Sequence, residues 1–257
     1  MLSAILTTLL LTQATAEATD NKTASTESSA NELREQDFTR AANIVVERTN
    51  AYRRGRDLSP LSTADRLNEA AQSFAEYMAR SGNYGHEADG RTPAERIAAA
   101  GYEYCRVGEN IGWQQKGDER IASTSIGRSF FTGWRDSPPH HENIVEPSFT
   151  EIGTGFAVAE TGRYYAVQLF GRPQSLRFAV EVVNQSGQNV SYTLGGTKYE
   201  LTPRMWRQHE LCETTSLTLA ELEPRDIGEA IRLIVELSGE TLTLREEGEP
   251  RELVSDE

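Results

Sequence analysis

Nowhere does the chain hold an apolar run long enough to anchor it across a bilayer; its most apolar stretch, Leu2 to Leu11, is too short. It has no surplus of basic charge either. Lys and Arg number 26 against 39 Asp and Glu, a formal net charge of −13. Such a surface repels phosphate backbones and anionic lipid, which argues against nucleic acid as a partner and makes solubility the first use of the acidity. Hydrophobic residues make up only 37% of the chain, so unpacked segments are expected where apolar residues are sparse. Cysteine is limited to Cys105 and Cys212, and histidine to His86, His140, His141 and His209. No two histidines share a His-x-x-x-His spacing, no Gly-x-Ser-x-Gly elbow surrounds Ser137, and no internal repeat is visible.

What is present begins with a leader. Leu2 to Leu11 is followed by Ala14-Thr15-Ala16, a small-x-small cleavage pattern, although Lys and Arg are absent from the residues before it. Residues 1–16 are read as a signal peptide, with a membrane-tethered N-terminus as the alternative. The mature chain is then secreted or periplasmic and keeps no integral span. Export to an oxidising compartment favours a Cys105–Cys212 disulfide over two buried thiols. In the chain-entropy account, closing a loop of about a hundred residues is worth about 4–5 kcal/mol.

Residues 17–36, rich in Ser, Thr, Glu and Ala without an apolar stripe, are read as a disordered linker. A helix is predicted from an N-cap at Asp37, with Phe38, Ala41, Ala42, Val45 and Tyr52 on one face, ending near Gly55. Others are predicted over about 62–79, 93–100 and 125–134, the last broken by Ser137-Pro138-Pro139. Strands are predicted over 151–159 and 164–170, joined by a Gly162-containing turn. After Pro173 the texture changes to short strands over 177–183, 190–194, 198–201, 216–219, 231–237 and 241–244, the pattern of a small sandwich or barrel. Arg245 to Glu257 looks like a solvated acidic end.

Five segments, in order, resemble the CAP superfamily of cysteine-rich secretory, antigen 5 and pathogenesis-related proteins, and its bacterial SCP-domain branch most. They are Asn50-Ala51-Tyr52-Arg53 with Leu61; His86 to Arg96, through Gly90, Thr92 and Pro93; Gly108-Glu109-Asn110-Ile111; Gly133-Trp134 with Ser137-Pro138, His140 and Asn143-Ile144; and Glu151-Ile152-Gly153-x-Gly155. The resemblance covers about residues 39–173. It implies an α+β fold, a CAP-type α-β-α sandwich, followed here by a small β-rich C-terminal domain. The resulting division is signal peptide 1–16, linker 17–36, CAP/SCP domain 37–173, β-rich domain 174–245 and acidic tail 246–257. Pro139 replaces a usual Gly, and His141 stands where bacterial relatives often carry Arg. The C-terminal part is not the Cys-rich hinge of the animal proteins, so ion-channel activity is not carried over.

The resemblance also implies a cleft lined by His86, Glu109, His140 and Glu151. Neutral imidazoles suit Zn²⁺ or another divalent metal, with Glu109 and Glu151 either completing the shell or orienting the imidazoles. A polar cluster that only holds the cleft open is the competing reading. Spacing alone does not bring these residues together. Three functions follow: binding of a divalent metal or a small ligand such as a lipid; metal-dependent hydrolysis outside the cytoplasm, with Glu109 or Glu151 as the catalytic candidate; or a module that engages a protein or the cell envelope. Whether the chain is an enzyme stays open. Ser137 is read as a cap or turn residue, and His209 as a packing or surface residue.

Overall fold

The computed structural model describes residues 38–115, 122–220 and 222–250. The expected signal peptide and linker, the expected cap at Asp37, and residues 251–257 of the expected tail lie outside the described residues.

Helix α1 is described over 38–54. A short strand, β1 (Ser62–Thr63), leads into α2 (Asp65–Ser81), and α3 (Pro93–Ala99), β2 (Tyr104–Gln115), α4 (Ser123–Arg135), α5 (Pro138–Val145), β3 (Glu151–Val158) and β4 (Arg163–Pro173) follow. The first sheet runs β1-β3-β4-β2, so β4 is interior and β2 is an edge. Alternation along β4 divides two cores. Ala166 and Phe170 face α1, α4 and α5, packing with Ala41, Val45, Ile126, Phe130 and Ile144. Tyr165, Val167 and Leu169 face α2 and α3, packing with Leu67, Phe74, Met78 and Ile97. A strand buried on both faces between helical layers is the α-β-α sandwich.

The motif residues are the ones this packing needs. A Cβ on Gly153 would lie 2.3 Å from the Leu67 carbonyl carbon, and one on Gly155 the same distance from that of Ala71. Only glycine lets α2 settle onto β3 so closely. Beyond β1 the edge of β3 is covered by α2 side chains: Asn68 Oδ1 accepts from Thr154 N at 2.9 Å, and Gln72 Oε1 from Phe156 N at 3.1 Å. Asn50 imitates a strand, accepting from Leu61 N at 2.7 Å and donating to Leu61 O at 2.9 Å. Arg53 is fully buried and donates to the carbonyls of Ser59, Ile144, Glu146 and Phe149. It thereby fastens α1 to the end of α5, supplying donors for carbonyls that a helix terminus leaves unpaired.

The C-terminal residues form two four-stranded sheets, β10-β9-β6-β7 and β12-β11-β5-β8. Their strands are β5 (Phe178–Asn184), β6 (Val190–Leu194), β7 (Thr197–Leu201), β8 (Trp206–Leu211), β9 (Thr215–Leu219), β10 (Arg225–Ile227), β11 (Ile231–Ser238) and β12 (Thr241–Glu246). Val180, Val182, Tyr192, Leu217, Leu233 and Val235 form their common core. The fold is α+β, a CAP-type sandwich with a β-rich C-terminal part. Cys105 and Cys212 form a disulfide, Cα atoms 5.6 Å apart, that joins β2 to the turn after β8.

Several expectations need correction. The stretch 104–115, left without an element, is the twelve-residue strand β2. Glu109 interrupts the apolar alternation of Val107, Ile111 and Trp113, and Gly108 and Gly112 lower strand propensity further. Ser62 and Thr63 belong to β1 and not to the second helix, because they pair with Glu151 and Ile152. The Ser-Pro-Pro cluster ends α4 but also starts α5, with Pro138 in the first turn, where a missing N–H costs nothing. Strands β8 and β10 were not anticipated. The acidic tail does not begin free: Glu246 ends β12, and Glu247 N donates to Arg232 O at 2.9 Å.

Gly155→Ala is expected to destabilise the fold by about 2 kcal/mol, since backbone cannot retreat from the new methyl as a side chain would. The check is urea denaturation, which should show a lower midpoint at an unchanged slope.

Candidate functional site

The site is assembled around an arginine. Thr92 caps α3, accepting from Glu95 N, while the Glu95 carboxylate accepts from Thr92 N, a reciprocal capping box with Pro93 in the first turn. This fixes α3 so that Arg96 points inward. Its side chain is 6% exposed, and its guanidinium lies 3.3 Å from the centroid of the Phe74 ring. Arg96 donates to Glu109 Oε2 at 2.6 Å, to both oxygens of Asp89 at 3.0 and 3.1 Å, and to the His86 carbonyl at 2.7 Å. Burial tends to raise the Asp89 carboxyl, but the Arg96 bonds and charge outweigh it and hold that carboxyl below its usual range.

Glu109 stands on the edge strand β2 with its side chain 1% exposed. Its second oxygen, Oε1, is 2.7 Å from His86 Nδ1. That hydrogen bond raises the His86 pKa above 6.5, against burial, which opposes it. The imidazole remains 53% exposed.

The opposite face of β2 holds the second histidine. Asn110 is fully buried; its Nδ2 donates to the His140 carbonyl at 3.1 Å and to Gln168 Oε1 at 3.0 Å. Asn143 Nδ2 donates to Asn110 Oδ1 at 2.9 Å and to the Glu109 carbonyl at 3.2 Å. Gln168 passes the chain of bonds to Thr49 Oγ1 on α1 at 2.9 Å. These amides dock α5 against β2. His140 Nδ1 is 2.8 Å from Ser137 Oγ. Burial, and then the positive charge of nearby His86, lower the His140 pKa. The adjacent His141 turns elsewhere, its Nε2 3.1 Å from the Tyr52 hydroxyl.

Of the four expected cleft residues, the structure brings His86 and Glu109 into contact and sets His140 near enough to His86 to feel that ring's charge. Glu151 is engaged elsewhere: it accepts from the Tyr102 hydroxyl at 2.6 Å, and burial and that bond raise the tyrosine pKa. Among the described residues no group of three or more His, Cys, Asp or Glu side chains is arranged to hold a metal ion. Ser137 occupies the position before α5 but makes no capping bond; its hydroxyl serves His140 instead. His209 packs against Tyr192 and Tyr199, with its Nε2 2.6 Å from the Tyr192 hydroxyl. Sequence reasoning gave no role to Arg96, Asp89 or Asn143. All three sit inside the quoted motifs, and an arginine three residues after a helix-starting proline was the available signal. A groove of about 660 Å³ lies apart from the histidines, between α1, α2 and the β3 edge, lined in part by Phe38, Ala42, Val46 and Phe156.

The family comparison agrees with this architecture. Residues 46–170 match the family model of the cysteine-rich secretory protein family, CAP. Over that segment the chain belongs to the CAP superfamily. It is 31% identical over 129 residues to the uncharacterized protein YkwD of Bacillus subtilis (strain 168), an alignment covering 50% of this chain and 46% of that protein. The chain thus spans less than half of that relative. Among solved structures, it is similar to an outer surface protein of Borrelia burgdorferi, with 21% identity and a TM-score of 0.45, over 51% of this chain and 92% of that one. An extracellular protein containing an SCP domain from Bacillus anthracis gives 21% identity and a TM-score of 0.43, over 52% of this chain and 41% of that one. No helix among the described residues is long and apolar enough to cross a membrane.

The two imidazoles should titrate on opposite sides of 6.5, His86 above and His140 below. The protonated His86–Glu109 pair then contributes stability that is fully present below 6.5 and is lost as pH rises through the raised folded value. His140 acts in the opposite sense: the unfolded chain takes up its proton first, so stability falls as pH drops below 6.5. Histidine NMR titration of the folded protein checks both signs, and Glu109→Gln should bring His86 back toward 6.5.

Proposed function

We propose that the mature chain is a secreted CAP/SCP-domain protein whose His86 and His140 imidazoles bind a divalent cation of the Zn²⁺ class. The observation that carries this reading is the state of the two rings. Each has its Nδ1 engaged by an oxygen, Glu109 for His86 and Ser137 for His140. The Glu109 carboxylate can only accept, so the neutral His86 ring carries its proton on Nδ1 and leaves Nε2 as the lone-pair nitrogen; when the Ser137 hydroxyl accepts from Nδ1, His140 is prepared in the same way, the arrangement by which outer partners orient metal-ligating histidines.

Testing the residues against a metal narrows its nature. Both Glu109 oxygens are occupied by Arg96 and His86, so Glu109 orients and does not ligate. Glu151 is committed to Tyr102. What fits is an open site with two imidazole ligands, the remaining positions left to water or a ligand, and not a closed four-ligand structural site. A bound cation there would supply Lewis acidity to whatever occupies those positions. The protein's own part is to hold both rings in place and, through burial, to keep His140 neutral. The raised His86 pKa makes protons compete with the cation to a higher pH than an ordinary imidazole would allow.

Secretion is supported by the expected signal peptide and by the disulfide, which suits an oxidising compartment. The groove between α1 and α2, where Phe38, Ala42, Val46 and Phe156 stand beside Asn43, Gln72, Glu69 and Glu76, supports a second ligand class, an amphipathic molecule such as a small lipid, bound independently of the histidines.

Zn²⁺ calorimetry tests the first reading. One equivalent should bind the wild-type chain more tightly at pH 8 than at pH 6, and the His86→Ala/His140→Ala variant should not bind. Binding that survives in the variant, or none in the wild type, contradicts it.

A further inference from the structure

The Cys105–Cys212 bridge and Arg106 lie outside the cleft, yet they join both elements that build it. Cys105 sits where the register of β2 shifts, between Tyr104 and Arg106. The bridge ties that point to Cys212, immediately after β8. Arg106 then donates from Nη1 to Glu213, the residue after Cys212, and from Nη2 to Glu146 at 3.2 Å. Glu146 is the residue that ends α5, and Arg53 holds its carbonyl at 2.9 Å. Three residues beyond Arg106 along β2 comes Glu109, which holds His86, and α5 carries His140. One guanidinium therefore links the strand behind the first histidine to the helix bearing the second, and shares its charge with a carboxylate of the C-terminal β part.

We propose that the C-terminal β part is a redox-set clamp on the two-histidine cleft, with Arg106 as its positioning residue. In the oxidised chain the bridge holds Glu213 against Arg106, whose other bond sets the distance between β2 and α5. Both cysteines are partly exposed, so a dithiol reductant can reach them. Attack of its thiolate breaks the S–S bond. Two electrons and two protons pass to Cys105 and Cys212, which become thiols, while the reductant closes to its own disulfide. Glu213 then loses its fixed place, Arg106 is left to Glu146 alone, and the irregular start of β2 is free to relax. The effect reaches the imidazoles through position, because the bonds of Arg106 go to Glu213 and Glu146 and to neither ring.

The cation affinity expected of this clamp rests on the cation reading above; the motion it restrains does not. The experiment compares the full oxidised chain with the dithiothreitol-reduced chain and with Glu213→Gln, Arg106→Gln and Arg106→Lys, all three with the bridge intact. Amide hydrogen exchange is followed over residues 104–111 and 138–146, and Zn²⁺ is titrated into each form. Reduction, Glu213→Gln and Arg106→Gln should each speed exchange in both segments while the β5–β11 core stays protected. They should weaken Zn²⁺ by about tenfold, the low end for groups that act through a ligand's surroundings. Arg106→Lys should recover part of both effects. Should reduction unfold the C-terminal part, Glu213→Gln decides alone. Unchanged exchange and unchanged affinity in Glu213→Gln and Arg106→Gln would overturn the clamp. Zn²⁺ binding absent from every form, the oxidised chain included, contradicts the cation reading only, and exchange then decides the clamp by itself.

Discussion

Arg96 and Glu109 lie side by side out of water, and much of the cleft follows from how their charges are satisfied. A buried guanidinium or carboxylate alone would cost several kcal/mol. Here each is matched almost atom for atom. Arg96 spends its donors on Glu109, Asp89 and the carbonyls of His86 and Arg91, with Phe74 beneath its plane. Glu109 spends one oxygen on Arg96 and the other on His86. The loop carrying His86 is therefore pulled onto α3 and β2 by the same bonds that neutralise the pair. Such a pair adds little net stability compared with an apolar replacement, but it does specify one arrangement of loop, helix and strand.

The second histidine is placed by neutral chemistry. Asn110, Asn143 and Gln168 form a buried amide chain from α5 through β2 and β4 to Thr49 on α1. Since Glu109 and Asn110 are neighbours on a strand, their side chains leave opposite faces of the sheet. One reaches the ionic cluster and the other the amide cluster. Because β2 is an edge strand, His86 and His140 approach from the two sides of a sheet that ends there. The Gly-Glu-Asn-Ile motif thus has a physical meaning: its Glu serves one histidine, its Asn the other, and its Ile packs between α2 and the sheet.

How legible this was depended on the kind of force involved. Helices with a clean apolar stripe, α2 and α4 above all, could be read from periodicity because burial alone decides them. Strand β2 could not, since its alternating face carries Glu109, and a buried carboxylate looks like a solvent-facing one until its arginine is known. The second helix's supposed first residues, Ser62 and Thr63, were claimed by a parallel pairing with residues almost ninety positions away, which no local pattern encodes. Family resemblance pointed to His86, Glu109, His140 and Glu151 together; the structure joins the first two directly and has Glu151 accept from Tyr102. Motif residues without ordinary catalytic chemistry, Arg96 and Asn143, turned out to place the ones that have it.

The coupling of Arg96 to Glu109 is the central claim, and a double-mutant cycle in urea unfolding measures it directly: Arg96→Met, Glu109→Gln and both together. If the two charges sustain each other, the double variant should be less destabilised than the sum of the singles by about 2 kcal/mol or more, because removing either one strands the other. Losses that add to within about 0.5 kcal/mol would mean the two residues act independently, and the cleft would need another organiser.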